Sequence, residues 1–397
     1  MLRRHRITLV YLLGFSLDLV NMFASNVAMP SIGVDLRAST GALAWISAAY
    51  TLGLTLAIPC AARWTRAWGE RTTLLASLGG FALAALLSGI APNAPLLMVC
   101  RLVQGLAGGL LIPVGQAWAY RLTPTNERAG LTARIMAIAL FVPALSPWAG
   151  GLLTQWISWR ALLAASAPAA FAVLVLAALW LPSDRTHLPH VPFLPSVPRL
   201  LRIPTLRLPM LIYLLVPGVF VGVNLVAAID LARLGFAPSD VGVLMLPWAM
   251  ASAVGIGLSR RGFARQGPRR LFFIGMLAQS LGMAWLATVR EGGHAAAMVA
   301  YIFMGFGGSL CSSTAQTLAF LDIAGHDMLP ASAVWNLNRQ LAFFIGPVAL
   351  GGVLAITGHA TITYVVAACL SVLPMIFLRR PIPPTSPSHL ETDHDHA

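Results

Sequence analysis

The sequence predicts an all-α polytopic membrane protein, with about twelve transmembrane helices in two six-helix bundles and both termini cytoplasmic. Three observations predict it. First, the 397 residues are 58% hydrophobic and only 10% charged, with a mean hydropathy of +0.78, where a soluble domain carries about 25% charge. So few charges could not cover that much apolar surface in water. Second, the apolar runs are about twenty residues long rather than short and alternating, which selects helices over a closed barrel. Third, the basic residues fall in the gaps between runs, and fall there unevenly.

The runs cover 7–29, 42–61, 72–90, 95–118, 135–156 and 161–181, then 208–229, 241–258, 271–289, 295–319, 331–356 and 361–378. They divide the chain into an N-terminal bundle (1–181), a linker (182–207), a C-terminal bundle (208–378) and a tail (379–397). The linker is polar and punctuated by Pro189, Pro192, Pro195, Pro198 and Pro204, too interrupted to span. The tail turns Pro-rich and then acidic with histidines, and reads as a solvated end rather than a metal site. Arg3, Arg4 and Arg6 precede an apolar run longer than a leader peptide's, so the first span is expected to stay uncleaved.

All 26 basic residues are Arg. With an even number of spans both termini share a side, and 20 of the 26 lie on that side. Arg37, Arg160, Arg233 and Arg290 lie opposite, and Arg101 and Arg339 lie inside runs. A bias of that size puts the termini in the cytoplasm. Because the arginines follow the loops rather than one patch, the net charge of +13 reads as topology and not as a nucleic-acid surface. Cys60, Cys100, Cys311 and Cys369 sit in or at the ends of apolar runs without close pairing, as small buried side chains do.

The halves repeat. At an offset of 200, Gly105 matches Gly305, Gly108 matches Gly308, Pro147 matches Pro347 and Gly151 matches Gly351. At 198, Asn26 matches Asn224, Gly69 matches Gly267 and Arg71 matches Arg269. Two parallel six-helix repeats are the organisation of transporters that rock around a site at mid-membrane.

The fourth span carries Arg101-Leu-Val-Gln104-Gly105-Leu-Ala-Gly108, and the fifth carries Ser146-Pro147-Trp148-Ala149-Gly150-Gly151. The first ends Asn26-Val27-Ala28-Met29-Pro30, and Trp159-Arg160 follows the fifth. These resemble motifs of the major facilitator superfamily, in its drug:proton antiporter branch, over most of 1–170 and more loosely through Asn336–Gln340. The resemblance implies the major facilitator fold and alternating access. It also implies proton-coupled antiport exporting a small organic molecule (a drug or secondary metabolite), by a monomer without a cofactor, while the Arg-only basic content and the lack of long outer loops suggest a bacterial inner membrane. Uptake by proton symport, and a transport-silent sensor or assembly partner, remain alternatives. For the fifth span the resemblance implies a kink at the interface of the halves that limits leak; the residues themselves give a bent, closely packed helix.

Two positions depart from the family pattern. Where the branch has an Asp before its Asn-Val-Ala-Leu-Pro, this chain has Asn21, and Asp18 lies one helical turn earlier on the same face. In the loop after the second span, the motif's Asp is Arg66, near Gly69 and Arg71. A charge-reversed cytoplasmic latch between Arg66 and Asp322 or Asp327 is one expectation, a lost latch the other.

Asp18 is the clearest carboxylate inside an apolar run, where it costs about 2.5–3.5 kcal/mol to insert. Such a cost is offset by function or by a partner, which makes Asp18 the candidate proton carrier or a structural pair. Arg101, Gln104, Gly105 and Gly108 share one helix stripe, as do Asn336, Arg339 and Gln340 on the eleventh span. Arg101 is placed to tune Asp18 or to hold an anionic group. Asn21, Ser25, Asn26, Asn224, Ser312, Ser313 and Gln316 complete the candidate cavity, although small polar residues in spans are also packing groups. Two intramembrane arginines against one carboxylate favour an acidic substrate, such as a carboxylate siderophore, over a lipophilic cation. No nucleophile–base pair, phosphate loop or metal spacing points to an enzyme.

Overall fold

The computed structural model describes residues 2–123, 128–182, 197–319 and 328–379. The first half comprises α1 (Leu2–Val27), α2 (Met29–Asp35), α3 (Thr40–Trp68), α4 (Glu70–Gly89), α5 (Ala94–Leu122), α6 (Arg128–Trp156) and α7 (Trp159–Trp180). A short α8 (Val197–Leu200) precedes the second half. That half holds α9 (Pro204–Leu215), α10 (Pro217–Arg233), α11 (Pro238–Val243), α12 (Met245–Leu286), α13 (His294–Ala319), α14 (Met328–Thr357) and α15 (Ala360–Val372). Among the described residues ten helical stretches are long and apolar enough to cross a membrane, and the runs expected as the fifth and ninth spans lie in α6 and in the second part of α12.

Side chains set several of the helix starts. Ser39, Asn93 and Ser158 accept from the backbone N–H groups of Ala42, Leu96 and Ala161, satisfying donors that the first turns of α3, α5 and α7 leave open. Two boundaries differ from expectation. The first span ends at Val27, and α2 restarts with Pro30 in its first turn. The expected 208–229 run is broken between α9 and α10, because Pro217 has no N–H to continue the ladder. The Val216 carbonyl at the break accepts from the Phe220 N–H at 3.1 Å and from Gln279 Nε2 at 2.8 Å. The expected 241–258 and 271–289 runs fall, as expected, in two helical parts of α12 on either side of Gly267, whose backbone is not helical.

That junction ties the repeat to backbone geometry. Gly69 joins α3 to α4 at φ 85°, ψ 161°, and Gly267, 198 positions on, has φ 75°, ψ 158°. Only glycine takes this conformation without strain. The match recurs in packing: a Cβ at Gly105 would lie 1.9 Å from the Tyr50 carbonyl oxygen, and one at Gly305 would lie 2.3 Å from that of Trp248. Tyr50 and Trp248 are themselves 198 apart.

The halves meet along α3 with α14 and α6 with α11. One buried core takes residues from both halves, including Met29, Ile46 and Leu97 with Leu225, Leu244 and Tyr301. These positions lie at the ends of the spans opposite the termini. At the cytoplasmic ends the described residues form separate cores, one around Leu74, Leu78 and Trp118 and another around Phe272, Leu318 and Trp335. Among the described residues the halves thus share a core at their outer ends and have separate cores at their cytoplasmic ends.

Candidate proton and substrate site

Three helices of the first half build a buried polar cluster. Asp18 on α1, Tyr50 on α3 and Arg101 on α5 are 3%, 1% and 1% exposed. They come together because α3 and α5 approach at backbone distance, which the missing side chain of Gly105 permits. Gly108 serves the same purpose one turn on, where a Cβ would lie 3.0 Å from Asp18 Oδ1 and 3.3 Å from the Tyr50 hydroxyl.

The hydrogen bonds follow. The Tyr50 hydroxyl donates to Asp18 Oδ1. Arg101 Nη1 donates to Gln104 Oε1 at 2.9 Å and to Asn21 Oδ1 at 3.3 Å. Its Nη2 donates to the Asn21 carbonyl and to Ser25 Oγ, both at 3.1 Å. Gln104 Nε2 donates to Asn21 Oδ1 at 2.9 Å. Each of these contacts to the buried guanidinium is a neutral oxygen, and Arg101 Nε is buried without a partner. The Arg101 guanidinium carbon lies 4.5 Å from the Tyr50 ring centroid, a desolvated cation–π contact of about 2 kcal/mol.

The second half supplies a further cation. Arg339, half-buried on α14, stands where its charge reaches Asp18 and Tyr11 across the divide and Tyr213 within its own half. Its Nε is buried without a partner, as is Gln340 Oε1. Asp18 is thus within electrostatic reach of one guanidinium from each half, and Phe343 of α14 packs beside Met22 and Tyr50. An arrangement of this kind can hold or release a proton at one carboxyl.

On the outer side the halves touch backbone to backbone. A Cβ at Gly242 would lie 2.4 Å from the Pro147 carbonyl oxygen, and one at Gly151 would lie 2.4 Å from that of Pro238. Gly150 packs on Ala24 of α1, and Ser239 Oγ donates to Gln155 Oε1 at 2.6 Å across the interface. Thus α6, with Pro143 and Pro147 inside it, lies between α1 and the second half.

The family model described as Major Facilitator Superfamily matches residues 11–347. The chain belongs to the Major Facilitator Superfamily. Its curated relatives include a "Multidrug resistance protein B homolog" of Mycobacterium tuberculosis, 33% identical over 42% of this chain and 31% of that protein. The chain thus spans about a third of that relative's length. "Puromycin resistance protein pur8" of Streptomyces alboniger is 28% identical over 81% of this chain and 76% of that protein. Among solved structures, a point mutant of the nucleoside transporter NupG superposes with a TM-score of 0.76 at 11% identity, covering 95% of this chain and 99% of that one. A D-xylose–proton symporter gives 0.73 at 16% identity, covering 96% and 98%. These two likenesses show the fold alone. Membership and the apolar spans make this a multi-pass transporter-family protein of the bacterial inner membrane.

The other expected site residues of this superfamily member are dispersed. Asn26 is buried and accepts from Ser47 Oγ at 2.8 Å. Asn224 is packed in the shared outer core, donating to Met245 Sδ and accepting from the Tyr301 hydroxyl, both at 3.3 Å. Ser312 and Ser313 are half-buried, Gln316 is exposed, and Ser312 Oγ donates to the Ser309 carbonyl at 3.2 Å. Asn336 is half-buried on α14 beside Arg339. Arg66 is exposed at the end of α3, and Arg71 donates to the Ala178 carbonyl at 2.9 Å. Asp322 and Asp327, like the tail from 380 onward and 183–196 of the linker, lie outside the described residues.

Two groups escaped the sequence reading. Tyr50 looks like any aromatic in an apolar run, and only its place directly before Thr51-Leu52-Gly53 of a tightly packed helix hinted at a contact. Asp230 sits one residue beyond the expected end of its span. It lies in the last turn of α10, where the Tyr364 hydroxyl donates to Oδ2 at 3.0 Å.

Proposed function

We propose that this chain is a proton-coupled antiporter that exports a small organic molecule by alternating access, with Asp18 as its proton carrier. The observation that carries this reading is a buried carboxylate within electrostatic reach of a guanidinium from each half of a protein whose halves share a core at their outer ends. When the halves rock, Asp18 exchanges its neighbours and its access to water together. Desolvation favours the protonated form and nearby guanidiniums the ionised form, so a change of surroundings moves the proton on or off. The drug-resistance names of the relatives support the outward direction.

Linkage then constrains the substrate. Antiport requires that the proton and the substrate exclude one another, so part of the substrate must need the ionised form of Asp18. An amine or other hydrogen-bond donor meets that need, while an acidic group of the same molecule fits Arg101 and Arg339. A purely anionic substrate would instead bind best with Asp18 protonated and would travel with the proton. That second reading, symport, is favoured by the excess of two guanidiniums over one carboxylate.

Transport in proteoliposomes under an imposed pH gradient separates them. Export by antiport predicts accumulation on the acidic side for substrates carrying a donor group. Accumulation on the alkaline side means symport, and no flux across a broad panel contradicts both.

A further inference from the structure

Tyr50 touches both charged groups of the buried cluster. Its hydroxyl donates to Asp18 Oδ1, while its ring lies under the Arg101 guanidinium at 4.5 Å. Among the described residues no carboxylate bonds Arg101 directly: its hydrogen bonds go to Asn21, Ser25 and Gln104. The phenol thus stands between the buried cation and the carboxylate that balances it. It also has a second acceptor, because the Asp18 backbone carbonyl lies 3.5 Å from the same hydroxyl.

The geometry points to Tyr50 as a positioning residue that links the proton on Asp18 to the Arg101 end of the site. It rests on the reading of Asp18 as the proton carrier. With Asp18 ionised, the phenol donates to the carboxylate and holds it toward the ring face that Arg101 occupies. When Asp18 gains a proton, its new O–H needs an acceptor. The phenol oxygen can accept it while turning its own proton to the Asp18 carbonyl. The bond reverses without moving the ring, and Arg101 loses the negative charge across the ring. The charged and titratable groups facing Asp18 in this scheme are Tyr50 from α3, Arg101 from α5 and Arg339 from α14. Backbone packing of Tyr50 on Gly105 is a separate, structural contribution, and Tyr50→Phe leaves that packing and the ring in place.

Infrared pH titration of the full-length protein in lipid tests the link without any substrate. The carboxylic-acid band that Asp18→Asn abolishes reports the proton on Asp18. Losing a hydrogen bond donated to a charged group should move its midpoint upward in Tyr50→Phe by roughly one pH unit or more. In the unmodified protein the tyrosine C–O band should shift with the same midpoint, and that shift should vanish in Asp18→Asn. An unchanged midpoint in a folded Tyr50→Phe protein overturns the inference. So does a tyrosine band that ignores the Asp18 titration, a readout available even if the variant fails to fold. If both bands behave as expected but no proton gradient drives transport, the proton-carrier reading fails and the Tyr50 link stands.

Discussion

Asn21 accepts from Arg101 at two oxygens, its side-chain Oδ1 at 3.3 Å and its backbone carbonyl at 3.1 Å. A carboxylate at that position would form a direct ion pair with the buried guanidinium. Here the negative charge sits one turn away at Asp18, bonded to Tyr50 instead. Returning the carboxylate to position 21 should therefore restore part of the site by another route. Asp18→Asn is expected to abolish proton-driven transport and Asp18→Asn/Asn21→Asp to recover some of it, measured as flux under a fixed pH gradient. Equal failure of both would show that position 18, not the charge, is what matters.

Close packing in the two halves predicts matched sensitivity. Gly105→Ala and Gly305→Ala each place a methyl group within 2.3 Å or less of a backbone oxygen. Overpacking of this kind costs about 1–3 kcal/mol, so both should lower the thermal midpoint of the purified protein. Gly257→Ala and Gly352→Ala, where a Cβ meets nothing within 4 Å, should leave it nearly unchanged.

The overall fold was legible because lipid leaves few choices: run length gives helices, and the arginine asymmetry gives their orientation. The offsets of 198 and 200 were legible too, since Gly69 and Gly267 share an unusual backbone conformation that the sequence marks with the same residue. Which helix faces meet was not. Asp18 and Tyr50 are 32 positions apart, and nothing at either position names the other. Asp230 escaped because a one-residue boundary shift moves it from loop to span. The break at Val216 was signalled by Pro217, but the Gln279 side chain that caps it lies on another helix. The Arg66 latch depends on Asp322 or Asp327 and stays an expectation.

The outer tie between Asp35 and Arg160 should persist into acid. The Arg160 guanidinium first, and then the Trp159 indole N–H at 3.0 Å, hold the Asp35 carboxyl below its usual range. A depressed carboxyl contributes stability above its unfolded value, near about pH 3.9, and loses it only as pH falls through the lower folded value. The difference in melting temperature between the native protein and Asp35→Asn should be constant above about pH 4 and shrink below it. Because the pair is exposed, that difference should be small and should fall with salt. A difference that disappears between about pH 5 and 7 would contradict the assignment.

Locking the outer seal should stop turnover. Gln155 and Ser239 meet across the interface at 2.6 Å, so a Gln155→Cys/Ser239→Cys pair, made in a chain with its native cysteines replaced, should form a disulfide. Oxidation should block transport and a reductant should restore it. Full activity of the cross-linked protein would mean that this seam does not open.

The most direct measurement is proton movement on substrate addition in proteoliposomes, read with a lumenal pH dye, for the native protein and Asp18→Asn. The native protein should move protons opposite to an exported substrate, and Asp18→Asn, which lacks the carboxylate that carries the proton, should move none. Full substrate-driven proton movement by Asp18→Asn would contradict Asp18 as the carrier.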